Sequence, residues 1–197
     1  IIPHENRIGD HQLTNYFVKS CDRFIAMSKQ VVEELRQFTN KSCKMIPHPV
    51  YDHYGDVMNK NEACAHLNID AQQKYLLFFG FIRNYKGLDL LLEAMADKRI
   101  KEAGIKLIVA GEFYGDASPY HQLIEKSGNS ESIILRTDYI ADDEVKYYFS
   151  AADLVVQPYK SATQSGISQL AYHFEKPMVV TNVGGLPEIV HHGQTGY

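Results

Sequence analysis

The chain has 197 residues, with 20 Lys and Arg against 24 Asp and Glu, so its formal charge is −4. That mild acidity argues against a general affinity for nucleic acid, which needs a basic face to replace phosphate counterions. Hydrophobic residues at 45% and aromatics at 11% exclude intrinsic disorder, and the longest apolar run, residues 75–82 across Gly80, is far short of a membrane span.

In chain order, Leu13, Tyr16, Phe17, Ser20 and Phe24 follow helical spacing, and residues 24–27 read as a short strand. Ser28 can cap a second helix whose apolar face is Val31, Val32, Leu35 and Phe38. Residues 44–46 are strand-like, and Pro47-His48-Pro49 stops them. Two prolines flanking one residue make a stiff connection that continues neither a helix nor a central strand. We therefore place a domain boundary there, with residues 1–46 ending one domain and residues 47–197 forming another.

From Lys74 the sequence alternates between strand-length apolar runs and amphipathic stretches. Strands are expected at Lys74–Phe79, Ile105–Ala110, 133–135, Leu154–Gln157 and 178–181. Helices are expected at 88–96, from Ser118 to about Lys126 with Ser118 as cap, at 142–149 with acids in the first turn, at 167–174 and at 186–191. Strands apolar on both faces and separated by helices indicate an α/β fold, a parallel sheet covered on both sides. Such sheets bind ligands beyond the carboxyl ends of their strands, which directs attention to the loops after Phe79, Ala110, Leu135, Gln157 and Thr181.

Three of those loops carry usable chemistry. In Gly80-Phe-Ile-Arg83-Asn-Tyr-Lys86-Gly87, two cations precede a helix, and cations beside free backbone N–H groups suit a diphosphate. Ordinary solvated cations explain an Arg-x-x-Lys equally well. Thr163-Gln164-Ser165-Gly166 places small and hydroxyl residues before a helix, where they can cradle an anion or simply cap it. Val183-Gly184-Gly185-Leu-Pro-Glu188 allows close backbone approach to a ligand or a plain tight turn. Gly111-Glu112 lies on the same edge.

Several classes are disfavoured. The chain has no G-x-G-x-x-G, no G-x-x-x-x-G-K-[ST], no H-E-x-x-H and no G-x-S-x-G. Cys21, Cys43 and Cys64 are too few and too scattered for a disulfide framework or a thiolate zinc site, so a reducing, cytoplasmic setting is expected. The chain opens with Ile-Ile-Pro-His and closes with Gly-Gln-Thr-Gly-Tyr, and it is expected to be a piece of a longer protein.

The order of four segments resembles the carboxyl-terminal domain of family-four glycosyltransferases. They are Phe79-Gly80 through Lys86-Gly87 to Leu92-Glu93-Ala94, Leu107 to Glu112, Ala152 to Pro158, and Lys176-Pro177 through Gly184-Gly185 to Glu188. Pro3-His4-Glu5 and Ile46-Pro47-His48-Pro49 also look like that family near its interdomain connection.

The resemblance implies a retaining enzyme of the GT-B fold, with two Rossmann-like domains facing a cleft. This chain would be its donor-binding domain, preceded by a fragment of the amino-terminal domain. Lys86 and Arg83 would neutralise the donor diphosphate; many members carry the Arg directly after the Gly, where this chain has Phe81. Gly80, Gly111 and Glu112 would lie near the nucleotide, and Thr163, Gln164, Ser165 and Gly166 would wrap phosphates and sugar. The family usually has two glutamates eight positions apart, which fall here on Ala162 and Leu170; Gln169 is a neighbouring polar substitute. His4 is the acceptor-side candidate, an ordinary loop histidine being the plainer reading.

The resemblance further implies a nucleotide-sugar donor, a saccharide or lipid-linked acceptor, and a role in polysaccharide or glycolipid synthesis. No cofactor and no metal are expected. Lipid-linked acceptors would bring the full-length protein to the inner face of the cell membrane. A catalytically silent nucleotide-sugar-binding module and a nucleotide-sugar epimerase are the competing readings. A cleft-facing lysine contributes little to a core, so loss of Lys86 is expected to leave stability almost unchanged.

Overall fold

The computed structural model describes residues 8–197. Two short strands, β1 (Phe24–Ala26) and β2 (Cys43–Met45), pair in parallel and are joined through α2 (Lys29–Arg36). The helix α1 (Asp10–Ser20) precedes them. Ser28 caps α2 as its sequence suggests, accepting the N–H of Val31. This pair of strands is separate from the main sheet.

The main sheet has five parallel strands: β3 (Lys74–Phe79), β4 (Ile105–Ala110), β5 (Ile133–Arg136), β6 (Leu154–Gln157) and β7 (Met178–Val180). Their order is β5-β4-β3-β6-β7. Side chains alternate between two cores because the strand period is two. Leu77, Ile108, Ala110 and Val155 enter one core, while Phe78, Leu107, Val109 and Val156 enter the other. The first core is covered by α3 (Lys60–Leu67), α7 (Val145–Ala151) and α8 (Gly166–His173), the second by α4 (Leu88–Ala94) and α6 (Ser118–Ser127). Both faces are buried, which is why the strands read as largely continuous apolar runs.

The chain leaves β3 toward α4 on one face and β6 toward α8 on the other, although β3 and β6 are neighbours. Their following loops must therefore part, and a crevice opens between them. Two further helices complete the chain, α5 (Lys98–Glu102) and α9 (Leu186–Ile189).

Some boundaries depart from the sequence reading. Ala117, not Ser118, is the cap of α6, and Ser118 is already helical; its N–H is taken by Asp116 Oδ1 at 2.9 Å. The acids at 142–144 form a turn ahead of α7, and the helix proper starts at Val145. The helix α3 was not foreseen, because its buried face is only Ala63, Cys64 and Leu67 in a polar surrounding. It packs on α7 and is capped by Asn59, whose side chain accepts from Asn61 N–H. The short α5 has no fully buried residue, only Ile100 packing partly against the second core, and so gives no periodic signal.

Candidate functional site

The crevice is assembled from the ends of β3, β4 and β6. Gly80 and Gly111 end the first two strands with φ of +89° and +132°. A Cβ on Gly111 would stand 2.5 Å from the Gly80 carbonyl oxygen, so only glycine lets the two strand ends meet so closely. The chain then turns through residues 84–86, a single 3₁₀ turn that ends on Lys86.

This turn is locked to the loop after β6. The Lys160 N–H donates to the Tyr85 carbonyl at 2.7 Å, and Lys160 Nζ reaches Asn84 Oδ1 and Asp89 Oδ2, each at 2.7 Å. Gly87, at φ +68°, presses on the Pro158 carbonyl with no space for a Cβ.

Those restraints carry Lys86 inward until it is 9% exposed. No carboxylate among the described residues pairs with its amine. Burial, and secondarily Arg83, push its pKa down from 10.5 to about 8. The ring of Tyr159 lies 5.8 Å from Nζ. Burial also raises the Tyr159 phenol, keeping it protonated, with its oxygen 3.5 Å from Ser165 Oγ. The sequence reading did not foresee this burial, which leaves the lysine with a desolvation cost that no carboxylate among the described residues offsets.

The cavity measures about 400 Å³. Of the residues singled out in the sequence, Gly80, Lys86, Gly111 and Glu112 line it from one side. Gln164, Ser165 and Gly166 line it from the other. Ser165 is the N-cap of α8 and makes no capping hydrogen bond, so the first-turn N–H groups are not taken by its side chain. The Oε1 of Gln164 is buried without a donor. A partnerless amine, uncapped helix N–H groups and close glycine backbone together make a site for an anion.

Arg83, Thr163 and Gln169 do not line the cavity. The Arg83 guanidinium lies over the ring of Tyr114 at 4.1 Å, on the other side of the turn. The Thr163 carbonyl accepts the Ser28 hydroxyl at 2.9 Å. Gln169 is buried on α8. His4 is outside the described residues. What sequence reading missed is the aromatic wall, Tyr51, Tyr54, Tyr85 and Tyr139, which comes from three separate segments of the chain. Tyr51 belongs to the segment after Pro49, and its ring rests on Gly166 at the start of α8.

The Gly184-Gly185 pair faces backbone rather than ligand. A Cβ on Gly184 would fall 1.5 Å from the Ala162 carbonyl oxygen, and one on Gly185 2.2 Å from that of Thr163. Glu188 also turns away: its two carboxylate oxygens accept the N–H groups of Lys29 and Gln30 at 2.7 and 2.9 Å. Ala162 packs with Tyr159 and Leu186, and Leu170 is buried while touching the cavity. A carboxylate at either position would need to be desolvated. Among the described residues no group of three or more His, Cys, Asp or Glu side chains is placed to hold a metal ion, and no helix is long and apolar enough to cross a membrane.

Residues 73–197 match the family described as Glycosyl transferases group 1. The chain belongs to that family. A D-inositol 3-phosphate glycosyltransferase of Segniliparus rotundus is 28% identical over 194 residues, which cover 95% of this chain and 42% of the relative. The protein of the same description from a Mycobacterium sp. (strain KMS) is 30% identical over 203 residues, covering 98% and 44%. The chain thus spans less than half the length of these curated relatives.

The fold is that of solved GT-B enzymes. Sucrose-phosphate synthase from Thermosynechococcus elongatus superposes with a TM-score of 0.82 at 19% identity, over all of this chain and 50% of that one. Anabaena HepE in complex with UDP-glucose gives 0.79 at 18% identity, over 95% and 52%.

Proposed function

We propose that the crevice binds a nucleotide-sugar and that the full-length protein transfers its sugar to an acceptor with retention of anomeric configuration. The observation that carries this reading is Lys86, a buried amine with no carboxylate partner among the described residues, at the carboxyl end of the central strand and opposite the uncapped start of α8. A diphosphate supplies the missing counterion. That an Anabaena structural neighbour holds UDP-glucose supports the same assignment.

In the transfer step the sugar–phosphate bond breaks, the anomeric carbon becomes oxocarbenium-like, and negative charge grows on the leaving diphosphate. Lys86 and the α8 N–H groups are already oriented toward that charge, so stabilising it needs no reorganisation. Arg83, on the far side of the turn, acts on Lys86 through its field rather than on the ligand directly. No metal is invoked, since the protein's own cation fills that place. The acceptor, a saccharide or lipid-linked glycan in polysaccharide or glycolipid synthesis, would sit against an amino-terminal domain that ends near residue 46, at the cytoplasmic side.

One observation favours a second reading. Ala162 and Leu170 occupy the family's two usual glutamate positions, and both are buried without hydrogen-bonding capacity in their side chains. A module that binds donor without turning it over would have such a site. Incubating the full-length protein with labelled nucleotide-sugars decides between them. Transfer or donor hydrolysis supports the enzyme, and anomeric NMR of the product tests retention. Ligand-induced thermal stabilisation without turnover supports the silent module, and neither effect removes the donor site.

A further inference from the structure

Two serines of this chain stand at helix N-termini in similar backbone conformations and behave differently. Ser28, at φ −146° and ψ 158°, accepts the Val31 N–H at 3.2 Å and so caps α2. Ser165, at φ −140° and ψ 121°, precedes α8 and caps nothing. Serine is among the favoured N-cap residues, and its hydroxyl ordinarily takes the N–H two or three residues ahead. In α8 those N–H groups belong to Ile167 and Ser168. The Ser165 hydroxyl is therefore engaged elsewhere.

Its neighbour is Tyr159. The phenol oxygen lies 3.5 Å from Ser165 Oγ. Both residues are buried, at 4% and 5% exposure, so each hydroxyl needs a protein partner in place of water. Tyr159 is fixed from several sides. Its carbonyl accepts the Thr181 hydroxyl, its ring stands edge-on to that of Tyr85 with centroids 6.2 Å apart, and it packs on Ala162 and Leu186. The N–H of the following residue, Lys160, is tied to the Tyr85 carbonyl. The Tyr159 ring also lies 5.8 Å from Lys86 Nζ. One fixed side chain thus touches both arms of the anion site, and it lines the cavity between them.

We propose that Tyr159 is a positioning residue: its phenol draws the Ser165 hydroxyl away from α8 and so leaves the first-turn N–H groups open to a donor diphosphate. The inference rests on the donor reading above and adds to it the residue that keeps the anion seat free. Ser28 meets two partners at once, donating to the Thr163 carbonyl while accepting from Val31. Ser165 reaches the phenol and not the helix, so for its hydroxyl the two partners are alternatives. Without the phenol oxygen it would turn to the ordinary N-cap role, and an anion would have to displace it. What makes this helix start a seat for a ligand is the amine across the cavity. Lys86 is 9% exposed, lacks a carboxylate partner among the described residues, and lines the same cavity as Gly166 and Ile167.

The test is Tyr159→Phe in the full-length protein, which removes the oxygen and keeps a ring beside Lys86. In the unliganded variant, amide hydrogen exchange at Ile167 and Ser168 should slow as Ser165 caps them, and the thermal midpoint should be no lower than the parent's. Calorimetric titration with UDP, ADP, GDP and inorganic pyrophosphate then reads binding. Affinity for the probes that the parent binds should fall roughly fivefold, the worth of a side-chain cap that the anion must now displace. Adding Ser165→Ala removes the competing hydroxyl and should recover most of that loss, whereas a merely structural role would make the two losses add. A deeper loss in the double variant, or faster exchange with a lowered midpoint in Tyr159→Phe, would overturn the proposal. Affinity that Tyr159→Phe leaves unchanged would remove it while sparing the donor reading. A parent that binds none of these probes would remove both.

Discussion

A Cβ placed on Gly80 would stand 3.2 Å from the ammonium nitrogen of Lys86, and equally close to Cδ1 of Ile167 on α8. The glycine that ends β3 thus makes room for the lysine six residues later, and the lysine is held between the two loops that define the crevice. Gly80→Ala would push both neighbours in a backbone at φ +89°, which L side chains rarely adopt. It is expected to cost about 1–3 kcal/mol and to weaken nucleoside diphosphate binding through the displaced amine. Calorimetric titration together with a thermal melt checks both, and unchanged affinity would show that Lys86 does not depend on this glycine.

Lys86→Met separates stability from binding. The folded-state pKa of about 8 lies below the unfolded value of 10.5, so the unfolded chain holds more protons between them. Stability therefore rises as pH increases from 8 to 10.5, and below pH 8 the buried charge opposes folding by about 3 kcal/mol. Removing the charge should raise the thermal midpoint at pH 7, with the gain shrinking by pH 10. Binding of a nucleoside diphosphate should weaken roughly tenfold to a hundredfold, the worth of one charge-assisted contact. A lowered midpoint at pH 7 would instead mark Lys86 as structural.

The same titration governs binding in the parent protein. If the protonated amine holds the diphosphate, affinity is nearly level up to neutral pH and declines through pH 8, approaching a tenfold loss per unit above it. Isothermal titration from pH 6.5 to 9.5 measures this. A flat profile would show that the helix N–H groups carry the binding without Lys86.

Gly184→Ala tests the join between the loop at 162–163 and the turn before α9. The new Cβ would fall 1.5 Å from the Ala162 carbonyl oxygen, a backbone atom that cannot rotate away. A loss of about 2–4 kcal/mol is expected from the clash and the φ of +52° together. Denaturant melts of the two proteins, with equal slopes, would establish it. A change below 0.5 kcal/mol would mean that the loop moves freely.

Glu188→Ala removes a helix cap supplied from far along the chain. Its carboxylate takes two N–H groups at the start of α2, 159 and 158 residues away. Loss of both should cost about 1–2 kcal/mol and should raise hydrogen exchange at Lys29 and Gln30. Glu188→Gln should recover part of it, because one amide oxygen remains an acceptor.

The alternation of apolar runs and amphipathic stretches from Lys74 onward determined the parallel sheet by itself, because strands buried on both faces must be apolar at every position. It also marked the loops of interest, since glycine at positive φ and a capping serine are local needs written in local sequence. The pair Lys86 and Ser165 was therefore legible. The fate of neighbouring residues was not. Only the fold turns Lys86 into the crevice and Arg83 onto Tyr114, because the turn at residues 84–86 is fixed by Lys160 from the loop after β6, a partner more than seventy residues away. The tyrosine wall, the burial that lowers the pKa of Lys86, and the reach of Glu188 to α2 depend on segments brought together across tens to more than a hundred residues. Periodicity reports the face a residue turns inward; the partner it meets there is set by how the elements pack.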